Sequence, residues 1–225
     1  IVVEQNKNDR FNIAKLKNAG FDYISKKEDF ENYIFTNIDM IPNHDLLPYY
    51  GMVTDGFNSL AIRGTQYDNN GTFFGGCISC TKEVFMQVNG YSNLYCRGWG
   101  GEDTNLYLRA LKEKILNYSP DEGFVIDIEE EKATTNDDRE MEMKYGLYPE
   151  DGLSNLIYDI EYENISNNFY HIIIDPKHAE HEKLFPQHFD TSHYSNEKYK
   201  EHRTKVSTMK FVINKMSNYG SKNKL

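Results

Sequence analysis

An α/β domain with a mainly parallel central sheet is what this 225-residue sequence predicts. The first observation is a strand, helix and strand in succession between Ile1 and Pro42, which reads as a right-handed crossover unit joining parallel strands. The second is a glycine-rich turn running into a helix at Glu102, with Leu108, Leu111 and Ile115 spaced for one buried face. The third is length, which suits one domain, or one domain with an appendage, and a sizeable core.

The elements follow in order. Ile1 to Val3 reads as a buried strand. Asn8 or Asp9 caps a helix beginning near Phe11, and Gly20 ends it. Tyr33-Ile34-Phe35 is a continuous apolar run closed by Pro42, the pattern of a central parallel strand. Ligands collect at the carboxyl ends of such strands, where Asn37 and Asp39 lie. Gly51 to Asn70 reads as a long surface connection holding a short strand at Leu60–Ile62. After Phe73–Ser79, Thr81 caps a short helix with Glu83 in its first turn and Val84, Phe85 and Val88 facing inward, stopped at Asn89-Gly90. Gly123–Ile128 reads as a strand, and Asp151–Ile160 and Tyr170–Ile174 as closing strands.

Composition narrows the function. A net charge of −10 excludes the basic surface of a nucleic-acid-binding protein. No stretch reaches the roughly 20 apolar residues that span a bilayer, and no signal pattern is present; membrane association and compartment stay unassigned. The three cysteines are too few for a disulfide scaffold. Cys77 and Cys80 form C-x-x-C, but in a strand that odd spacing sends the two thiols to opposite faces, which argues against zinc.

The most informative stretch is Y-C-R-G-W-G-G-E-D-T-N-L-Y-L-R, Tyr95 to Arg109. Gly98, Gly100 and Gly101 surround Trp99, the chain's single tryptophan, and permit a tight backbone path and close approach of a ligand. Glu102 and Asp103 fall at the helix start, where the dipole favours negative charge. An aromatic ring beside a carboxylate at such a junction suits a sugar; the same residues also read as a glycine-rich turn with a core tryptophan.

Six segments occur in a telling order: F-N-I-A-K-L-K-N-A-G-F (Phe11–Phe21), Y-I-F-T-N-I-D-M-I-P (Tyr33–Pro42), F-F-G-G (Phe73–Gly76), N-G-Y-S-N (Asn89–Asn93), G-W-G-G-E-D (Gly98–Asp103) and D-G-L-S-N-L (Asp151–Leu156). Together they resemble the β-1,4-galactosyltransferase family of metal-dependent glycosyltransferases, over roughly Ile1 to Asp175. The resemblance implies a GT-A-like nucleotide-sugar transferase fold lacking its N-terminal strand and helix. It implies inverting transfer of a galactose-type hexose from a UDP-sugar donor to a glycan or glycoconjugate acceptor. Asp103 is then the general base, supported by Glu102, and Asp39 the ligand of Mn²⁺ or Mg²⁺. Asn37 stands where the family has the first aspartate of Asp-x-Asp. Trp99 closes over the substrates, and Phe73 matches a tyrosine that crowds the donor's second carbon. Gly75, Gly76, Gly100 and Gly101, with Asn37, complete the expected substrate site.

The sequence also departs from the family. Ile13 replaces a phosphate-binding arginine, Thr104 and Asn105 replace two acidic residues that touch the acceptor, and no histidine occurs between His44 and His171 to complete the metal site. Glu129, Glu130 and Glu131 could stand in for it, or form a solvated edge. Ile13, Asn37 and the missing histidine favour an alternative, a degenerate or truncated transferase that serves as a carbohydrate-binding module, while Thr104 and Asn105 imply an acceptor other than N-acetylglucosamine. The predicted division is a catalytic domain over 1–175 and a polar His- and Lys-rich extension over 176–225. Five of the seven histidines lie there (His178, His181, His188, His193 and His202), read as a solvated tail, with His178 and His181 on one helical face as a metal pair in the rival reading.

Overall fold

The computed structural model describes residues 1–6, 10–63, 74–95, 100–128 and 148–185. The chain divides into two compact units, Ile1–Phe189 and Asp190–Leu225, and every described element belongs to the first.

Strand β1 (Val2–Gln5) leads into helix α1 (Ile13–Ser25). Asn12 caps α1 by accepting a hydrogen bond from the Lys15 amide at 2.9 Å; Asn8 and Asp9 lie outside the described residues. Gly20 does not end the helix as the sequence predicts. It sits inside α1, where a Cβ would come within 2.8 Å of Val3 Cγ2, so its role is close contact between α1 and β1. Strand β2 (Tyr33–Thr36) follows, then β3 (Met40–Pro42), a 3-10 turn at His44–Leu46, the single helical turn α2 (Leu47–Tyr50) and β4 (Phe57–Ser59). Leu60–Ile62, predicted as a strand, is a buried turn just after β4.

Strand β5 (Cys77–Cys80) runs into α3 (Lys82–Gln87), capped by Thr81, whose hydroxyl accepts from the Val84 amide at 3.3 Å. Val84, Phe85 and Val88 are buried, and positive φ at Asn89 and Gly90 turns the chain away, as the sequence predicts. Then come α4 (Glu102–Lys112), β6 (Asn117–Tyr118), β7 (Val125–Asp127), a 3-10 turn at Leu153–Asn155, β8 (Asp159–Ser166), β9 (Phe169–Asp175) and α5 (His178–Leu184). Asn167 and Asn168, both at positive φ, form the two-residue turn of the β8–β9 hairpin.

The described strands form three small sheets, β1-β9-β8, β2-β5-β4-β6 and β3-β7, mostly antiparallel rather than one mainly parallel central sheet, which corrects the predicted architecture. Among the described strands only β1–β9 and β4–β6 pair in parallel, while β2–β5, β3–β7, β4–β5 and β8–β9 are antiparallel. The strand–helix–strand succession exists, but β1 takes β9 as its hydrogen-bonded partner and β2 takes β5. In β2 only Tyr33 and Phe35 are buried, the alternation of a half-covered strand.

Two cores hold these layers. In the larger, Phe21, Tyr33, Phe35, Phe85 and Tyr91 interlock, with Phe35 stacked on Phe85 at 4.4 Å and Phe21 against Phe85 at 4.7 Å. Aromatic pairs of this kind add about 0.5–1.5 kcal/mol each beyond their buried area. The smaller core gathers Met40, Leu46, Leu60, Ala61, Cys77 and Val125. Cys80 belongs to the first and Cys77 to the second, so the two thiols do face opposite sides of β5.

Candidate functional site

Helix α4 presents a face the sequence does not predict. Leu111 is half exposed, and the buried row is Glu102, Asn105, Leu106, Arg109 and Ala110. The helix is turned because Arg109 has a polar destination. Its guanidinium donates to the Asn105 side chain at 2.7 Å and to the Asp151 carbonyl at 2.6 Å, and pairs with the Asp151 carboxylate at 3.6 Å.

Asp151, fully buried, is the hub of a polar lock. Its carboxylate accepts from the Ser92 hydroxyl and from the Asn93 amide at 3.2 Å, and meets His181 Nε2 at 3.1 Å. Asn18 on α1 binds both backbone groups of Tyr91, donating to its carbonyl at 2.8 Å and accepting from its amide at 2.9 Å. Asp151–Ile160 therefore does not begin as a strand. Gly152, at φ +148, leaves room for the Asn89 carbonyl, and Asp151 turns inward. His178 and His181 are not a solvated tail; α5 buries both, with His178 Nε2 2.8 Å from the Arg10 carbonyl oxygen. No group of three metal-ligating side chains occurs among the described residues, around these histidines or the cysteines.

The lock grips α4 at Arg109, and the glycine turn before the helix sets its start. Gly100 and Gly101 take positive φ, and a Cβ on Gly101 would come within 2.7 Å of the Tyr95 ring. Glu102 and Asp103 then occupy the first helical turn, Glu102 buried and the Asp103 side chain 20% exposed. Asp103 lies against Gly75, where any Cβ would collide with the carboxylate. Gly75 adjoins Gly76, whose carbonyl accepts from the Asn37 amide at 2.8 Å. Asn37, Gly75, Gly76 and Asp103 thus converge from β2, β5 and α4.

Asp39 is two residues beyond Asn37, its backbone carbonyl bonded to the Ile128 amide at 3.0 Å. Burial raises its carboxyl pKa, nearby Asp127 raises it further, and its own amide and Lys17 partly offset this. The Asn37, Asp39 and Asp103 side chains each leave an Oδ1 buried without a hydrogen-bond partner. Buried acceptors are almost always bonded, so three such oxygens in one region mark a place for a ligand. Asn37 and Asp39 offer hard oxygen donors, the type Mn²⁺ and Mg²⁺ take, but among the described residues no group of three His, Cys, Asp or Glu side chains that could hold a metal forms around them. Burial pushes the Cys77 thiol up, which removes it as a nucleophile.

Trp99, Phe73, Glu129, Glu130 and Glu131 lie outside the described residues. A shallow groove lined by Val88, Arg109, Lys112, Tyr148 and Pro149 holds none of the predicted site residues. The sequence reading missed Lys17, Tyr91 and Asp127. Lys17 had a signal: it stands three residues after Ala14 and four before Phe21, a charge on the buried stripe of α1.

Comparisons with known proteins bear on the chain's family and fold. A family model described as the N-terminal region of glycosyl transferase group 7 matches residues 1–51, and one described as the N-terminal domain of galactosyltransferase matches residues 59–131. Together they cover more than half of the chain. Beta-1,4-galactosyltransferase 4 of Rattus norvegicus is 37% identical over 129 residues, covering 54% of this chain and 36% of the relative. Beta-1,4-galactosyltransferase 1 of Bos taurus is 34% identical over 109 residues, covering 48% of this chain and 27% of the relative. A beta-1,4-N-acetylglucosaminyl-transferase of Lymnaea stagnalis is 37% identical over 120 residues, covering 51% of this chain and 24% of the relative. The chain spans about a third or less of the length of these curated relatives. A Drosophila β-1,4-galactosyltransferase 7 variant, crystallised with manganese, UDP-galactose and xylobiose, superposes with a TM-score of 0.64 at 23% identity, covering 77% of this chain and 78% of that one. That likeness shows a shared α/β fold, and the two family models with the sequence relatives show the kinship: the chain belongs to the β-1,4-galactosyltransferase family.

Proposed function

We propose that this chain transfers a hexose from a UDP-sugar to a carbohydrate acceptor, with inversion at the anomeric carbon. The observation that carries the reading is the Asp103 carboxylate at the N-terminus of α4, with Oδ2 against Gly75 and Oδ1 buried without a hydrogen-bond partner. A carboxylate at a helix N-terminus is favoured in its charged form, which a base requires. As the acceptor hydroxyl attacks, its oxygen bonds to the anomeric carbon, the bond from that carbon to the diphosphate oxygen breaks, and Asp103 takes the hydroxyl proton. Glu102 supports Asp103 from the same helical turn. Asp39 and Asn37 would hold a divalent cation, which when bound neutralises charge on the diphosphate.

Phe73 is proposed to disfavour N-acetylated donors. The Lymnaea stagnalis relative, named for N-acetylglucosaminyl transfer, makes that worth a direct test. The experiment is transfer of radiolabelled sugar from UDP-galactose, UDP-glucose and UDP-N-acetylglucosamine to a glycan panel with Mn²⁺. Galactose transfer is expected to lead. Preference for the N-acetylated donor overturns the Phe73 role. Absence of any transfer favours the second reading, a carbohydrate-binding module, which Asn37 in place of an aspartate supports.

A further inference from the structure

The geometry points to Lys17 as a positioning residue for Asp103, a protein-borne cation that aims the base without bonding to it. The inference rests on the reading of Asp103 as the base and deepens it.

Lys17 lies early in α1, one helical turn after Ile13. Its side chain is only 8% exposed, an unusual state for a lysine, which is seldom buried unless paired. Its ammonium is 3.7 Å from Asp103 Oδ1 and 5.0 Å from the centroid of the Tyr91 ring. Its charge also reaches Asp39 and Cys77. The Tyr91 turn and α4 therefore face one ammonium.

Two features separate this arrangement from an ordinary ion pair. The first is the distance. At 3.7 Å the ammonium attracts the carboxylate, yet Asp103 Oδ1 keeps no hydrogen-bond partner. An oxygen whose lone pairs are free can receive the acceptor's proton, whereas one closed by a short hydrogen bond cannot do so as readily. The second is the support. Asn18, next in sequence to Lys17, binds both backbone groups of Tyr91, so helix and ring are held in register. On the other side Gly75 gives the carboxylate its room. Lys17 draws Asp103 from one side and Gly75 admits it on the other.

The test compares Lys17→Met and Lys17→Arg with the unaltered chain, measuring kcat, donor and acceptor KM, UDP affinity by calorimetry with Mn²⁺, and thermal melting. Misplacing a catalytic group by an ångström costs on the order of 10²-fold. Lys17→Met is therefore expected to lower kcat by roughly 10- to 100-fold, with KM and UDP affinity changed by about twofold or less. Lys17→Arg, which keeps the charge, is expected to recover most of kcat. A second arm combines Lys17→Met with Asp103→Asn; once the base is gone, removing Lys17 should cost almost nothing further. A Lys17→Met chain that melts normally and keeps full kcat overturns the proposal while leaving Asp103 as base. Loss of UDP affinity in step with kcat also overturns it, assigning Lys17 to the donor instead. If Lys17→Met does not fold, Lys17→Arg decides: a folded Arg variant with kcat as low as that of Asp103→Asn overturns the charge role. An unaltered chain that transfers nothing overturns the base reading itself, and this one with it.

Discussion

The polar lock around Asp151 and the carboxylate site around Asp103 are built from the same materials and bonded in opposite ways. Both are partly or wholly buried, both draw on α1 and α4, and both contain segments by which the family is recognised. In the lock, each Asp151 oxygen is engaged by a hydroxyl, an amide, an imidazole or a guanidinium. In the site, Asn37, Asp39 and Asp103 each keep an oxygen with no hydrogen bond. A buried acceptor left open costs about 1–3 kcal/mol, and three of them on the segment after β2 and on α4 are the difference between the two regions.

The largest expected effect breaks the lock. Asp151→Ala leaves Arg109 buried without its counter-charge, and removing one partner of a buried pair costs about 3–5 kcal/mol. At 2–4 °C per kcal/mol for a domain of this size, melting should fall by roughly 6–20 °C. A fall of only a degree or two would show that the lock is not the framework.

Asp103→Asn should do the reverse. Transfer is expected to drop by roughly 10²–10⁴-fold, while melting falls by less than in Asp151→Ala, because Asn keeps the side chain's size and the Lys17 ammonium left behind keeps the Tyr91 ring. Equal loss of melting temperature would place Asp103 with the framework.

Next in size, Asp39→Ala should weaken UDP binding in the presence of Mn²⁺ by about tenfold or more, equivalent to about 1.4 kcal/mol, down to the level seen with chelator. Calorimetry that finds the same affinity in both proteins removes the cation from Asp39.

The smallest effect is on pH. Folding raises the Asp39 pKa, chiefly by burial and then by Asp127. The folded chain therefore holds this proton over a range in which the unfolded chain, with a pKa of about 3.9, has released it. Stability from this group is fullest at acid pH and declines as pH rises through that range. Asp39→Asn should thus melt slightly higher than the unaltered chain at neutral pH without cation, and converge with it below about pH 4. Convergence at high pH instead would reverse the sign and refute the burial argument.

Much of the local structure was legible in the sequence. Thr81 with its short helix, the Asn89-Gly90 stop, the paired glycines before Glu102 and the divergence of Cys77 and Cys80 all follow from caps, positive φ and the two-residue period of a strand. Those causes act within a few residues, so a sequence carries them whole. The order of motifs likewise named the family, and it drew together Asn37, Gly75, Gly76 and Asp103, which do lie close in the fold.

Pairing and burial were settled elsewhere. Whether β1 joins β2 or β9 depends on a strand more than 160 residues away along the chain, and local alternation is blind to that choice. Leu111 and Arg109 compete for the inside of α4, and Asp151, 42 residues on from Arg109, decides for the arginine. His178 and His181 look solvated until Arg10 and Asp151 receive them. Lys17 becomes part of a site only when α1, α4 and the Tyr91 turn come together. A side chain's type sets what it needs; only the tertiary fold supplies the partner that makes a buried charge stable or leaves an oxygen open.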